Sequence, residues 1–174
     1  FWDTELFMLP FFAWVFPKTA QNLENYRYYL LDAARENAHK NGFNGAQYPW
    51  ESADDGSEQC PDWTIEPDGS CYRCYVAVYE HHVTAAVAYG IYDYVKITGD
   101  IDFLYTKGAE ILTETARFWA SRCEYNNEQD RYEINQVTGP DEWHEPVNNN
   151  LYTNYLARWN LKYVLSLLEE IGRA

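Results

Sequence analysis

The chain has 174 residues, enough for one modest domain with its own core, and 47% of them are apolar, which excludes a disordered chain. No apolar run reaches the roughly 18 residues of a membrane span; Leu6 to Phe16 is too short and is cut by Pro10. A net charge of −14, from 27 acidic against 13 basic residues, repels polyanions and argues against nucleic acid as a partner, while leaving a neutral substrate open.

In chain order, the sequence opens directly on Phe1-Trp2-Asp3-Thr4-Glu5 with no signal-peptide pattern, and its only methionine is Met8. It therefore reads as a fragment of a longer protein. A first helix is predicted from about Ala20 to Lys40, on Leu23, Tyr26, Leu30, Ala34 and Ala38, with Gly42 as its stop. A second runs from about His82 to Ile97, with Val83, Val87, Ile91 and Tyr94 as its stripe and Gly99 at its end. A third runs from about Asp102 to Cys123, and the short link between them favours an antiparallel hairpin. A fourth runs from about Tyr152 to Glu170, with Gly172 closing it. Residues 42–80 and 124–150 are long connections rich in Trp, Pro and carboxylates, and loops of that length in a compact domain are usually functional or disordered. The pattern is all-α: stacked helical hairpins with site-forming loops gathered at one end.

Seven Trp and 16 Tyr fit a packed helical core and fit equally a surface on which sugar rings stack. The loops sharpen this. Trp2-Asp3, Trp50-Glu51 and Glu142-Trp143 each set an aromatic ring beside a carboxylate, and Glu80-His81-His82 opens the second helix. A carboxylate accepts from two adjacent hydroxyls, and an apolar neighbour keeps a carboxyl protonated as a general acid. Each pair alone reads most simply as surface or cap; four at helix boundaries could converge on one pocket.

Other chemistries fit less well. His144-Glu145 does not complete a zinc-binding helix, because position 148 is Asn and Pro146 breaks the turn. Cys71 and Cys74 have the spacing of half a metal site with no second half, so they read as structural or incidental thiols, beside Cys60 and Cys123. His81 and His82 lie about 100° apart on a helix and do not chelate one metal together. Asn148 to Asn150 are candidate caps of the fourth helix. No metal or cofactor is expected. The absence of an N-x-S/T sequon fits a cytoplasmic protein.

Several longer motifs stand in a fixed order: Phe1-Trp2-Asp3-Thr4-Glu5, Met8-Leu9-Pro10-Phe11-Phe12, Gly45-Ala46-Gln47-Tyr48-Pro49-Trp50-Glu51-Ser52-Ala53, Glu80-His81-His82-Val83-Thr84, Ala116-Arg117-Phe118-Trp119, Gly139-Pro140-Asp141-Glu142-Trp143-His144-Glu145 and Asn149-Asn150-Leu151-Tyr152-Thr153-Asn154. In these the chain resembles glycoside hydrolase family 65, which includes maltose, kojibiose, nigerose and trehalose phosphorylases. The resemblance implies that residues 1–174 are the central part of an (α/α)6-barrel catalytic domain, truncated at both ends. It implies Glu142 as the catalytic acid, and Trp2, Asp3, Trp50, Glu51, Glu80, His81, Trp143 and His144 as substrate-binding residues. It implies inverting phosphorolysis of an α-glucosidic disaccharide or oligosaccharide, with inorganic phosphate as co-substrate, β-glucose 1-phosphate as product and a homodimer as the full-length assembly. The phosphate site would lie further toward the C-terminus, so the 174-residue chain alone is expected to be unstable or inactive. An inverting hydrolase of the same fold, such as an acid trehalase-like enzyme, and a non-catalytic sugar-binding remnant are the alternatives.

Overall fold

The computed structural model describes residues 2–142 and 146–173. It is a helical assembly with two short hairpins. After a π-helical turn at Thr4–Met8 come α1 (Leu9–Val15), α2 (Pro17–Tyr29) and α3 (Leu31–Lys40). The first hairpin pairs β1 (Trp63–Ile65) with β2 (Cys71–Arg73), antiparallel, with Thr64 opposite Tyr72. Then follow α4 (Val76–Tyr79), α5 (His82–Thr98), α6 (Ile101–Phe103), a second π-helical turn at Leu104–Gly108 and α7 (Ala109–Arg122). The second hairpin pairs β3 (Glu124–Asn126) with β4 (Arg131–Glu133), and α8 (Leu151–Arg173) ends the described chain.

Helix α5 is the hub. It packs against α1, α2, α7 and α8. Its residues Val83 to Ala88, Gly90, Ile91, Tyr94 and Val95 are buried, and four are Ala or Gly, so neighbouring helices approach closely. Gly90 shows how closely: a Cβ there would lie 2.8 Å from Glu5 Cγ and 2.9 Å from Glu24 Oε1. The helix ends where predicted, on Gly99 in the left-handed conformation at φ 72°. Asp100 then starts α6: its carboxylate accepts from Phe103 N at 3.0 Å and from Tyr94 Oη at 2.6 Å.

The predicted first helix divides at Leu30, where φ −93° and ψ 8° leave the helical region. Leu30 and Leu31 are both buried at that break. The predicted third helix holds a π-helical turn at its start, which shifts its buried stripe by one residue. Helix α1 and the turn before it were not predicted. Pro10 reads as a breaker, but it is tolerated as the second residue of α1, directly after the π-helical turn that the chain forms at Thr4–Met8. Helix α8 runs through Gly172 to Arg173 instead of stopping. Among the described residues, no helix is long and apolar enough to cross a membrane.

Candidate functional site

The Phe1-Glu5 motif and the segment carrying Trp50-Glu51 are tied through one buried arginine. Arg27 Nε donates to Glu5 Oε1 at 2.5 Å and Nη2 to Glu5 Oε2 at 3.0 Å, a bidentate ion pair with both side chains buried. Arg27 Nη1 also reaches Ser52 Oγ at 3.4 Å, next to Trp50-Glu51. Tyr48 Oη donates to the Arg27 carbonyl at 2.8 Å, and Tyr48 N donates to Thr84 Oγ1 of α5 at 3.1 Å. Upstream, Ala46 N donates to the Glu114 carbonyl of α7 at 2.9 Å. Gly45 makes that approach possible: its φ is 77°, and a Cβ there would lie 2.2 Å from the Glu114 oxygen. Burial, and then the charge on Glu5, push the neighbouring Glu24 carboxyl well above its usual range.

These ties bring Trp2 and Trp50 to the N-terminus of α5, where both rings meet His82. The Trp2 ring lies edge-on to the imidazole at 5.4 Å between centroids, Trp50 at 6.1 Å and Tyr152 of α8 at 5.6 Å. Glu80 Oε2 is 3.7 Å from His82 Nε2. Burial depresses the His82 pKa to about 4. The ring is therefore neutral at neutral pH, and its approach to Glu80 is not an ion pair. The sequence pointed to His81 here. His81 instead packs on Phe43 and Phe118, with centroids 6.2 and 5.8 Å away. Its Nε2 faces the Val78 carbonyl at 3.0 Å and its Nδ1 accepts from Arg122 Nε at 3.2 Å, which places the proton on Nε2. Burial, then the Arg122 charge, hold its pKa at about 4. Trp50, Glu80, His81 and Arg122 line a common cavity of about 410 Å³. What singles out His82 is its place on the buried face of α5, one residue before Val83; adjacency to His81 concealed it.

Glu142 sits near the tip of a loop closed by backbone hydrogen bonds. Val137 N donates to the Val147 carbonyl at 2.9 Å, and Val147 N returns a bond to Val137 at 2.8 Å. Thr138 N donates to the Tyr79 carbonyl at 3.1 Å, tying the loop's base to the residue before Glu80. Glu142 N donates to the Gly139 carbonyl at 3.1 Å, and Glu142 holds φ at 58°, a left-handed conformation that non-glycine residues rarely adopt. Its side chain is exposed, as is that of Glu51, while Asp3 is half-buried just before the first π-helical turn. Trp143 and His144 lie outside the described residues. The three asparagines behind the loop have separate tasks: Asn148 Oδ1 accepts from Gln136 N, Asn149 Oδ1 from Ile134 N, and Asn150 Oδ1 from Thr153 N, capping α8. Cys60 Sγ lies 3.8 Å from Cys74 Sγ, while Cys71 is exposed on β2. Among the described residues, no group of three or more His, Cys, Asp or Glu could hold a metal ion.

Residues 1–174 match the glycosyl hydrolase family 65 central catalytic domain. The chain belongs to glycosyl hydrolase family 65. The kojibiose phosphorylase of Caldanaerobacter subterraneus subsp. tengcongensis is 58% identical over 171 residues, covering 98% of this chain and 22% of that protein. A kojibiose hydrolase of Flavobacterium johnsoniae is 42% identical over 172 residues, covering 99% of this chain and 24% of that protein. Among solved structures, "Putative kojibiose phosphorylase from human microbiome" superposes with a TM-score of 0.85 at 31% identity, over 97% of this chain and 23% of that one. The family 65 chain thus spans under a quarter of the length of these relatives. Its helical hairpins and long loops fit part of an (α/α)6 barrel.

Proposed function

We propose that the chain contributes the catalytic acid and part of the sugar-binding surface of a disaccharide phosphorylase, acting on an α-glucosidic bond. The observation that carries this is the convergence of Trp2 and Trp50 on His82, with the Glu142 loop tied at its base to Tyr79, beside Glu80. Similarity to a kojibiose phosphorylase along almost the whole chain supports phosphorolysis over other sugar chemistry. In this reading Glu142 protonates the glycosidic oxygen as the bond to the anomeric carbon breaks. A phosphate oxygen forms the new bond from the opposite face, giving β-glucose 1-phosphate and a free sugar. One protein carboxylate suffices, because phosphate attacks without a base. Trp2 and Trp50 offer stacking faces, and Asp3, Glu51 and Glu80 offer hydroxyl acceptors that tighten as the ring flattens. No cofactor is required, and inorganic phosphate is the second substrate. Trp143 and His144 belong to the same proposed surface.

Hydrolysis is the second reading, and the 42% identical kojibiose hydrolase favours it. In that case a second carboxylate, roughly 6.5–9.5 Å from the first, would activate water. Incubating the full-length protein with kojibiose, maltose, nigerose or trehalose, with and without phosphate, separates the two. Phosphate-dependent β-glucose 1-phosphate supports phosphorolysis; glucose release without phosphate supports hydrolysis. Glu142→Gln is expected to lower kcat by about 10²–10⁴-fold in either case, the usual worth of a general acid. Full activity in that variant would refute the acid assignment.

A further inference from the structure

The backbone bearing Trp50 and Glu51 belongs to no helix or strand ladder. Its N–H groups still need acceptors. One side chain supplies them. Glu58 Oε2 accepts from Trp50 N at 2.6 Å, and Glu58 Oε1 accepts from Glu51 N at 2.9 Å, Cys60 N at 3.0 Å and Gln59 N at 3.1 Å. A carboxylate suits this because it carries about four lone-pair sites and no proton of its own; Oε1 takes three of the bonds, and the longest, from Gln59 N, is shared with the Glu51 carbonyl at 2.9 Å. Its charge strengthens each of them.

The surrounding turn makes that geometry reproducible. Gln59 N donates to the Glu51 carbonyl at 2.9 Å and Ala53 N to the Ser57 carbonyl at 2.9 Å, so residues 51–59 close as a small hairpin with Ser52 bridged to Glu58. Asp55 Oδ1 caps Ser57 N at 2.9 Å within the turn. Tyr26 Oη holds the Ala53 carbonyl at 3.2 Å, which seats the hairpin on α2. Glu58 also lines the cavity shared by Trp50, Glu80 and His81.

We propose that Glu58 is a positioning residue of the sugar site: its carboxylate sets the backbone from which Trp50 and Glu51 reach the substrate. The proposal rests on the reading that Trp50 and Glu51 bind sugar. Every hydrogen bond of the Glu58 carboxylate among the described residues goes to a backbone N–H group, so its role here is to orient other residues. A glutamine keeps the length but turns an NH₂ toward one of the donors. An aspartate keeps the charge but is one methylene too short to span Trp50 N and Cys60 N together.

The test uses Glu58→Gln and Glu58→Asp in the full-length protein, with two readouts. The first is amide hydrogen exchange in peptides covering residues 50–60. The second is the steady-state split between kcat and KM with kojibiose, maltose, nigerose or trehalose plus inorganic phosphate, or without phosphate if the protein hydrolyses. Both variants are expected to lose protection at Trp50 and Glu51. KM should rise about tenfold, the equivalent of losing one charge-assisted hydrogen bond, with kcat changed far less. Unchanged protection overturns the proposal, as does lost protection with unchanged KM. A fall in kcat at constant KM also overturns it, because Glu58 would then act in the chemistry. A wild-type protein that turns over none of the sugars refutes the functional reading instead, and the exchange measurement still decides for or against the anchor.

Discussion

His81 and His82 are neighbours in the chain, and the rotation of about 100° between successive helical residues separates their surroundings. His81 joins Arg122, Phe43 and Phe118; His82 joins Trp2, Trp50 and Tyr152. Both are neutral in the folded protein, with pKa values depressed to about 4 chiefly by burial. In the unfolded chain each titrates near 6.5. Between those values the unfolded state binds more protons, so stability rises with pH there. Their contribution is complete above about pH 6.5 and is lost as pH falls toward 4, at up to about 1.4 kcal/mol per pH unit for each ring. Urea unfolding at about pH 7, 5.5 and 4.5 should show a falling midpoint, and His82→Gln should flatten the fall. A midpoint independent of pH in this window would mean that the imidazoles are hydrated. The same physics explains why charge counting along the sequence could not assign these residues: burial, which sets their protonation, is a tertiary property.

At the scale of elements, α5 is where packing sets the site. Its small residues allow Glu5 and Glu24 to lie against Gly90, and Glu5 in turn holds Arg27 and, through it, Ser52. Gly90→Ala would set a methyl 2.8 Å from Glu5 Cγ and 2.9 Å from Glu24 Oε1. The local helix propensity gained, about 1 kcal/mol, is opposed by overpacking that costs about 1–3 kcal/mol and by displacement of a buried ion pair. The expected outcome is a lower denaturation midpoint together with weaker sugar binding, read by chemical denaturation and by KM in the full-length protein. A more stable variant with unchanged KM would show that the carboxylates relax freely. Helix α5 was legible from its near-continuous apolar run and its glycine stop, which persist even though its neighbours bury nearly all of it. The division of α2 from α3 was not, because Leu23, Tyr26, Leu30, Ala34 and Ala38 keep helical spacing straight across the break at Leu30.

At the scale of the whole molecule, two apolar faces stand open. Phe7, Phe11 and Trp14 lie at helical spacing and are 63%, 57% and 74% exposed. On α8, Leu151 and Tyr155 are 82% and 64% exposed, and Leu165 and Leu168 continue the exposure. Large apolar side chains exposed in such number mark an interaction face or a liability to associate. Produced alone, the 174-residue stretch is expected to bind a hydrophobic dye and to self-associate. The full-length protein should do neither, with Trp14 fluorescence shielded from quenchers. A monodisperse, dye-free stretch with a sharp melt would contradict this.

Composition and spacing by themselves determined the helical class, the helix from His82 and its glycine stop, and the presence of aromatic–carboxylate pairs; of these pairs only Trp2-Asp3 abuts a helical turn, while Trp50-Glu51 lies inside a long loop and Glu142 nine residues before α8. Those follow from local rules, since periodicity, caps and turn residues act within a few positions. Motif order carried the family and the choice of Glu142. Only the tertiary structure decided that His82 meets both tryptophans, that Glu58 holds the Trp50-Glu51 backbone, and that Arg27 ties Glu5 to Ser52. Each depends on which way a side chain points once distant segments are packed, and residues such as Arg27 and Ser52, 25 positions apart, have no local signature for that contact.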